Sequence, residues 1–305
     1  MFFNLISIDL LVRCTNRNYL QSRLPLCGPA FSSACRALAC RTSRESCMCC
    51  SHMECCGWNK LFGQPLTPDI AALKRYQKPP LPFVFSFFDR AGEGHATDEL
   101  LCGLVVVGSA IPLLPLLVEG FVSLLATEFG SVDSELIHIA CRDFQGVSQT
   151  PFRFEMMQNL MENLVIVSPD DLQANRHWGT STLELRLLSP LKLIENGRVS
   201  QEFDFCRFAR FVMRRVSSIS YYYGGHELEW EFKELVKEID VTSCIQEKYY
   251  YSAHRRHSLS GVTGSGVYEV QNDRIISLLK TGALLHVGKG ASFGMGAYEM
   301  NLHAG

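Results

Sequence analysis

A glycine-rich loop near the carboxyl end is the most distinctive segment of this chain. Four glycines and one lysine, Lys289, fall within the nine residues from 288 to 296. Glycine has no Cβ, so successive N–H groups of such a loop can converge on an anion, and the lysine adds a mobile positive charge. Tight packing of the backbone against a neighbour is the alternative role of such a turn. The candidate phosphate-binding residues of the loop are Gly288, Gly290, Gly294 and Gly296.

The residues before this loop alternate between strand and helix patterns. A strand-like run over 183–188 is followed by apolar residues that recur every three or four positions from Phe205 to Ile219, which predicts a helix with one buried face. The remaining predicted elements are a short helix (228–239), a strand (244–257), a turn (261–266), a strand (267–270), a helix beginning at Asp273 and a strand (297–300). The order of the main elements is that of a ferredoxin-like fold with an antiparallel sheet and helices on one face.

These segments resemble one known protein family. The residues that carry the resemblance are Leu188–Lys192, Phe208–Arg215, Ser252–Arg256 before Gly261, His286–Gly290 and Phe293–Tyr298. In them the chain is similar to the C-terminal domain of the CRISPR precursor-RNA processing endoribonucleases, which belong to the repeat-associated mysterious protein (RAMP) superfamily. The first half resembles the same family more loosely, in Gly28–Cys40, the cysteine cluster, Pro79–Phe83 and Leu100–Phe129. We expect strands at Met1–Leu11 and Leu104–Val107 and a helix after Pro112.

The resemblance implies an α+β fold of two tandem ferredoxin-like, RRM-like domains with antiparallel sheets. The expected domains are residues 1–180 and residues 181–305, with a cysteine-rich insertion at about 40–60 in the first. The net charge of −2 does not decide whether such a protein binds nucleic acid, because a basic patch can coexist with acidic surface elsewhere.

The activity that the resemblance implies is cleavage of precursor CRISPR RNA at one phosphodiester of its repeat. A base removes the proton from a ribose 2′-hydroxyl, the oxygen attacks the neighbouring phosphorus, and an acid protonates the departing 5′-oxygen. The products are a 2′,3′-cyclic phosphate and a 5′-hydroxyl. No cofactor is expected for catalysis, and the expected partners are CRISPR repeat RNA and other CRISPR effector subunits.

The candidate catalytic residues are two histidines and the lysine of the loop. Histidine suits acid and base roles because its unperturbed pKa of about 6.5 lies near working pH. Many relatives have a catalytic histidine in their first helix, but the matching region here, Ala30–Ala39, contains none. We therefore expect His254 or His257 to act as acid or base, and Lys289 to stabilise the charge of the phosphorane. A structural histidine held by backbone groups is the alternative for each.

Basic and aromatic residues beside these histidines are candidate RNA contacts. The guanidinium groups of Arg255 and Arg256 can hold phosphates, while Tyr250 can stack on an unpaired base. The arginines of the 205–219 helix are interpreted instead as a solvated face: Arg207, Arg210 and Arg214.

Seven of the thirteen cysteines fall between residues 35 and 56. In a chain without a secretion signal they indicate free thiols or a metal site rather than disulfides. The spacing of Cys40, Cys47, Cys50 and Cys55 predicts a structural zinc site. An iron–sulfur cluster would use the same ligands, and a cysteine-rich loop without an ion is the remaining alternative.

The apolar segment 100–126 contains a single charge, Glu119, and is long enough to span a membrane. Two prolines, Pro112 and Pro115, divide it, so we expect a strand and a helix of a buried core and no membrane partner. The amino terminus is a poor signal peptide, which favours a cytoplasmic protein.

Two other classes of protein remain open from the sequence. A non-catalytic RNA-binding RAMP subunit of a CRISPR effector complex is favoured by the missing histidine of the first helix. The second class is a structural protein stabilised by a bound metal, with unrelated partners. This class does not explain the order of the C-terminal segments.

Overall fold

Two antiparallel β-sheets, each covered by helices, organise the chain. The structure, a computed structural model, describes residues 3–41, 47, 50–73, 76, 78–88, 98–130, 133–143, 146–147, 151–153, 160–168, 181–228, 231–256, 259–270 and 272–304. The strands of the first sheet precede residue 154 and those of the second follow residue 180. The two halves are named the N-terminal lobe and the C-terminal lobe.

The N-terminal lobe is built on five strands. They are β1 (Leu5–Cys14), β2 (Phe83–Ser86), β3 (Glu99–Val107), β4 (Ser134–Arg142) and β5 (Phe152–Arg153). Its helices are α1 (Arg17–Arg23), α2 (Gly28–Ala39), α3 (Gly57–Phe62), α4 (Ile70–Leu73) and α5 (Leu114–Glu128). The strands pair in the antiparallel order β2-β3-β1-β4-β5. Ile6, Ile8 and Leu10 of β1 are buried, and they share a core with Phe31 of α2 and Phe121 of α5.

The C-terminal lobe contains the second sheet. Its strands are β6 (Ser181–Leu191), β7 (Ile194–Glu195), β8 (Arg198–Val199), β9 (Ser243–Ser252), β10 (Gly261–Val270) and β11 (Tyr298–Ala304). Its helices are α6 (Phe205–Ile219), α7 (Phe232–Asp240) and α8 (Asp273–Leu285). Four strands pair in the antiparallel order β11-β6-β10-β9, and β7 and β8 form a separate hairpin.

Both lobes have the ferredoxin-like topology. In each, the first and third main strands lie in the centre of the sheet, and the second and fourth flank them. The predicted α+β class with two tandem ferredoxin-like units is therefore confirmed. The cysteine-rich insertion is not confirmed. The division between residues 180 and 181 stays a prediction, since 169–180 lie outside the described residues.

Helix α6 follows its sequence pattern closely. The Asp204 side chain accepts a hydrogen bond of 2.6 Å from the backbone N–H of Arg207 and so caps the helix. All of the predicted core positions are buried: Phe205, Phe208, Ala209, Val212, Val216 and Ile219. The 3.6-residue period of the apolar side chains was sufficient to identify this helix.

The apolar segment of the N-terminal lobe is a core helix in this fold. Gly108–Glu128 is long and apolar enough to cross a membrane by length and composition alone. A short 3₁₀ helix (Gly108–Leu113) precedes α5, and α5 packs against α2. Buried residues of α5 such as Leu117 and Phe121 belong to the core of the lobe.

The glycine-rich run at 261–266 differs from its prediction. It is not a turn but the first half of strand β10. Close approach of the neighbouring strand explains one of its glycines, because Gly264 has a φ of +127° and a Cβ there would lie 2.1 Å from the carbonyl oxygen of Lys248. The tyrosine-rich strand β9 also ends earlier than predicted, at Ser252 instead of His257.

Candidate nucleic-acid interface

The glycine-rich loop is attached to the end of β6 by backbone hydrogen bonds. Lys289 donates its N–H to the carbonyl oxygen of Lys192 over 2.9 Å. Gly296 donates its N–H to the carbonyl oxygen of Pro190 over 3.1 Å. Both ends of the loop are therefore fixed to the same stretch of chain.

Backbone conformation explains why glycine occupies four positions of this loop. The φ angle is +88° at Gly288, +84° at Gly290 and Gly294, and +63° at Gly296. L side chains rarely adopt these angles. At Gly296 the space is also closed, since a Cβ would lie 1.8 Å from the carbonyl oxygen of Val287.

The second half of the loop packs onto the N-terminal lobe. The ring of Phe293 meets those of Phe31 and Phe83 edge-on, with centroids 6.1 and 5.8 Å apart. The backbone N–H of Phe85 donates to the carbonyl oxygen of Ser292 over 3.0 Å. The loop is thus a connection between the lobes as well as a candidate ligand site.

The amides of the four glycines divide into two groups. Gly294 donates its N–H to the carbonyl oxygen of Ala291 over 3.3 Å, and the N–H of Gly296 is engaged by Pro190 of β6. The N–H groups of Gly288 and Gly290 make no backbone hydrogen bond with any residue that the structure describes. The amides on either side of Lys289 are therefore the ones placed to meet a ligand.

A cavity of about 600 Å³ opens between the lobes, beside the first half of the loop. Its cationic residues are Lys78, Arg214, Arg215 and Lys289. Its other lining residues are Tyr76, Pro80, Ile194, Phe211, Ser218 and Gly288. No acidic side chain occurs among the described residues that line it, so this cavity is named the basic cleft. Clustered positive charge of this kind attracts polyanions.

Arg215 is positioned by the backbone at the end of α8. Its Nε donates to the carbonyl oxygen of Leu285 over 2.7 Å. Its Nη2 is buried and has no hydrogen-bond partner among the described residues. Burial lowers the pKa of Arg215 to about 10, so the guanidinium is still charged at neutral pH. A buried donor without an acceptor costs about 1–3 kcal/mol, which an oxygen of a bound phosphate would offset.

The arginines predicted to form a solvated face of α6 differ in their surroundings. Arg207 lies 3.5 Å from the carboxylate of Glu195, and Arg210 lies 2.5 Å from that of Asp240. Their charges are compensated within the surface of the lobe. Arg214 instead lines the basic cleft.

Sequence reasoning missed two cations of the cleft, Lys78 and Arg215, as ligand-binding residues. Lys78 lies in a segment without helical or strand periodicity, and contacts between lobes bring it to α6. The sequence feature that relates to this contact is the tyrosine run 221–223. Tyr222 and Tyr223 donate hydrogen bonds to the backbone carbonyls of residues 76 and 80, on either side of Lys78.

The predicted catalytic histidine lies on the turn between β9 and β10. His254, Arg255 and Arg256 are exposed, and Tyr250 on β9 is 63% exposed. The Nδ1 of His254 accepts a hydrogen bond of 3.1 Å from the backbone N–H of Arg256. That contact leaves Nε2 as the protonated nitrogen of the neutral imidazole. His257 lies outside the described residues.

This turn and the glycine-rich loop meet the same end of β6. Gly261, which follows the turn, approaches Leu191 so closely that a Cβ on it would lie 2.6 Å from the Leu191 carbonyl oxygen. The next residue, Lys192, accepts the hydrogen bond from Lys289. His254 and Lys289 therefore lie at one end of the second sheet, although His254 does not line the basic cleft.

The four cysteines predicted to bind a metal line one cavity of about 360 Å³: Cys40, Cys47, Cys50 and Cys55. Within the part of the chain that the structure describes, however, no group of three or more His, Cys, Asp or Glu side chains is placed to hold an ion. Backbone turns shape the segment instead, since Cys50 donates its N–H to the Cys47 carbonyl over 3.1 Å, and the Cys55 thiol donates to the His52 carbonyl over 3.4 Å. The structure does not support the predicted zinc or iron–sulfur site.

Two ferredoxin-like lobes, joined through a glycine-rich loop that borders a basic cleft, make up the part of the chain that the structure describes. Residues 185–298 match the family model described as CRISPR-associated endoribonuclease Cas6. Residues 29–162 match a second model, described as an N-terminal domain. The resemblance found in the sequence is therefore confirmed over residues 185–298, which are similar to the Cas6 endoribonuclease family.

Solved structures with a similar fold span nearly the whole chain. The structure of Thermus thermophilus Cas6 is 12% identical, covers 99% of this chain and 100% of that chain, and has a TM-score of 0.54. A product complex of the same Cas6 is 14% identical, covers 97% of this chain and 99% of that chain, and has a TM-score of 0.53. A chain of a partial Cas6-RT-Cas1–Cas2 complex is 10% identical, covers 99% of this chain and 46% of that chain, and has a TM-score of 0.50. At these identities the likeness is one of fold. A search of the curated proteins found no match.

Proposed function

We propose that this protein is an endoribonuclease that processes CRISPR precursor RNA at its repeats. The basic cleft is the observation that carries this proposal, because four cations from both lobes meet there. The cleft borders the glycine-rich loop of the segment that matches the Cas6 family. Neutralisation of RNA phosphates by these cations would release counter-ions and favour binding.

In this proposal the first half of the glycine-rich loop contacts the phosphate that is cut. The N–H groups of Gly288 and Gly290 and the ammonium group of Lys289 would donate to its oxygens and stabilise the charge that grows in the transition state. Gly294 and Gly296 keep the loop in the required conformation through their positive φ angles. The loop is anchored to β6, so these donors are held in place before RNA binds.

The proposed chemistry is metal-independent attack of a ribose 2′-hydroxyl on the adjacent phosphorus. The bond from phosphorus to the 5′-oxygen breaks, leaving a 2′,3′-cyclic phosphate and a 5′-hydroxyl. His254, in its imidazolium form, is the proposed acid for the departing oxygen and would return to the neutral imidazole as it gives up the proton. His257 is the proposed base.

The exposed turn between β9 and β10 would hold RNA that extends beyond the cleft. Arg255 and Arg256 would contact phosphates, and Tyr250 would stack on an unpaired base. The proposed partners are repeat RNA and other CRISPR effector subunits, in keeping with a structurally similar chain found in a Cas6-RT-Cas1–Cas2 complex. The cytoplasm is the compartment in which we expect these partners to meet.

The second candidate function is that of a non-catalytic RNA-binding subunit of a CRISPR effector complex. Helix α2 contains no histidine, and His254 does not line the basic cleft. Both observations favour binding without cutting.

Incubation with end-labelled repeat RNA in excess chelator distinguishes the two functions. The repeat is transcribed from the CRISPR array of the source organism, and enzyme is kept in excess over RNA so that one turnover is measured. Cutting at a single position, with a product that phosphatase alone does not dephosphorylate, supports the endoribonuclease. Tight binding without cutting supports the scaffold.

A further inference from the structure

The basic cleft is apolar as well as cationic. Phe211 and Ile194 line it together with Arg215 and Lys289. Ile194 is 38% exposed although it is a large apolar residue. An apolar surface next to cations matches the two parts of an unpaired nucleotide, since bases stack on apolar and aromatic side chains while cations hold phosphates.

We infer that the basic cleft captures one unpaired nucleotide of the RNA, with its phosphate on Arg215 and Lys289 and its base against Phe211 and Ile194. The inference rests on the proposed function and specifies which part of the RNA occupies the site. It assigns to Arg215 the phosphate oxygen that its buried Nη2 lacks among the described residues.

The dimensions of the cleft favour a single nucleotide over a duplex. Its volume of about 600 Å³ falls within the range of about 300–1,000 Å³ that is usual for pockets that enclose small molecules. Double-stranded RNA is instead recognised on its outer surface, across grooves and backbones. A paired base could not reach the apolar wall without leaving its partner.

The wall that the N-terminal lobe contributes contacts the helical turn that follows α6, Ser220–Gly224. The ring of Tyr76 stacks on that of Tyr221 with centroids 4.6 Å apart. Tyr222 donates its hydroxyl to the carbonyl of Tyr76 over 2.8 Å, and Tyr223 donates to that of Pro80 over 2.5 Å. The cleft is therefore preformed, which reduces the conformational entropy lost when a nucleotide binds.

Abasic scanning of the repeat RNA tests the inference. Each unpaired nucleotide is replaced in turn by an abasic one, and affinity is measured by fluorescence anisotropy for the unmodified protein and for Phe211→Ala and Ile194→Ser. Val241→Ser, at an apolar residue that is 78% exposed and does not line the cleft, is the matched control. Ile194 lies on the β7–β8 hairpin, so its replacement remains informative if Phe211→Ala unfolds.

We expect one unpaired position at which the abasic nucleotide weakens binding to the unmodified protein by about tenfold. At that position the Ile194→Ser and Phe211→Ala proteins should lose less than about twofold, because the contact is already missing, while Val241→Ser should behave as the unmodified protein. Annealing the RNA to a complementary strand should weaken binding by about tenfold or more. Equal sensitivity of all proteins at every position, or equal affinity for the duplex, would overturn the inference.

The same experiments separate failure of the inference from failure of the proposed function. Cleavage of repeat RNA with no position that depends on Phe211 or Ile194 refutes the nucleotide pocket and leaves the endoribonuclease intact. A Phe211-dependent position in RNA that is bound and never cut refutes the endoribonuclease and supports the pocket.

Discussion

The backbone N–H of Lys289 donates a hydrogen bond to the carbonyl oxygen of Lys192 over 2.9 Å. Lys192 directly follows β6, the central strand between β11 and β10. The contact fixes the start of the glycine-rich loop to the sheet and leaves the side chain of Lys289 in the basic cleft. The position of the Lys289 backbone is therefore set by the fold of the C-terminal lobe.

Replacement of Lys289 by alanine should weaken RNA binding with little change in stability. The side chain is exposed, so its removal leaves no cavity. Loss of one phosphate contact should reduce the slope of log affinity against log salt by about 0.7 for single-stranded RNA. Filter binding over a range of salt concentrations measures this slope. Lys233→Ala, an exposed lysine of α7, is the control, and a slope that falls equally in both variants would remove Lys289 from the site.

Replacement of His254 by alanine should slow cleavage and spare binding. A proton-transfer group contributes about 10²–10⁴-fold to the rate, whereas the exposed imidazole adds little to affinity. Single-turnover cleavage and anisotropy are measured for His254→Ala, His257→Ala and the double variant. His303→Ala, an exposed histidine of β11, is the control. Cleavage by the double variant at the unmodified rate would exclude both histidines from the mechanism.

Gly296→Ala should destabilise the protein much more than Gly197→Ala. Both glycines have positive φ angles, +63° and +76°, which cost an alanine about 1–2 kcal/mol. Only at Gly296 would the new Cβ also collide with a backbone oxygen, that of Val287, whereas nothing lies within 4 Å at Gly197. We expect a loss of about 2–4 kcal/mol for Gly296→Ala in urea unfolding. Equal losses would show that the loop is not held as described.

Phe293→Ala should lower stability by about 2–4 kcal/mol, because it removes a ring that contacts the aromatic core of the N-terminal lobe. Thermal unfolding measures the loss. Tyr250→Ala, at a ring that is 63% exposed, should change the midpoint little. If the two variants unfold alike, the loop does not join the lobes through Phe293.

Chelator should leave the thermal midpoint unchanged. Among the described residues the cysteine segment offers no group of three or more ligands for an ion, so its turns are expected to form without one. Calorimetry with and without chelator, together with elemental analysis of the purified protein, tests this. A fall in midpoint accompanied by loss of one bound zinc per chain would restore the metal site that the cysteine spacing predicts.

Local patterns predicted more of the fold than of the site. The apolar spacing of α6 identified that helix because one of its faces is buried along its whole length. The prediction of a turn at 261–266 was wrong because Gly264 is required by the close approach of the adjacent strand. A contact between residues distant in sequence leaves no local pattern. The same limit applies to Arg215, whose spacing resembles that of its solvated neighbours. Its contact with Leu285 distinguishes Arg215 from all three neighbours, and its place in the basic cleft distinguishes it from Arg207 and Arg210.

Photochemical cross-linking of repeat RNA tests most directly whether RNA occupies the basic cleft. Thiouridine is placed at each unpaired uridine, the complex is irradiated, and the linked peptides are identified by mass spectrometry. We expect links from one position to the peptides that contain Phe211 and Tyr76, and their loss in the Arg215→Met, Lys289→Ala double variant. Links confined to the rest of the surface, unchanged in that variant, would contradict the placement of RNA between the lobes.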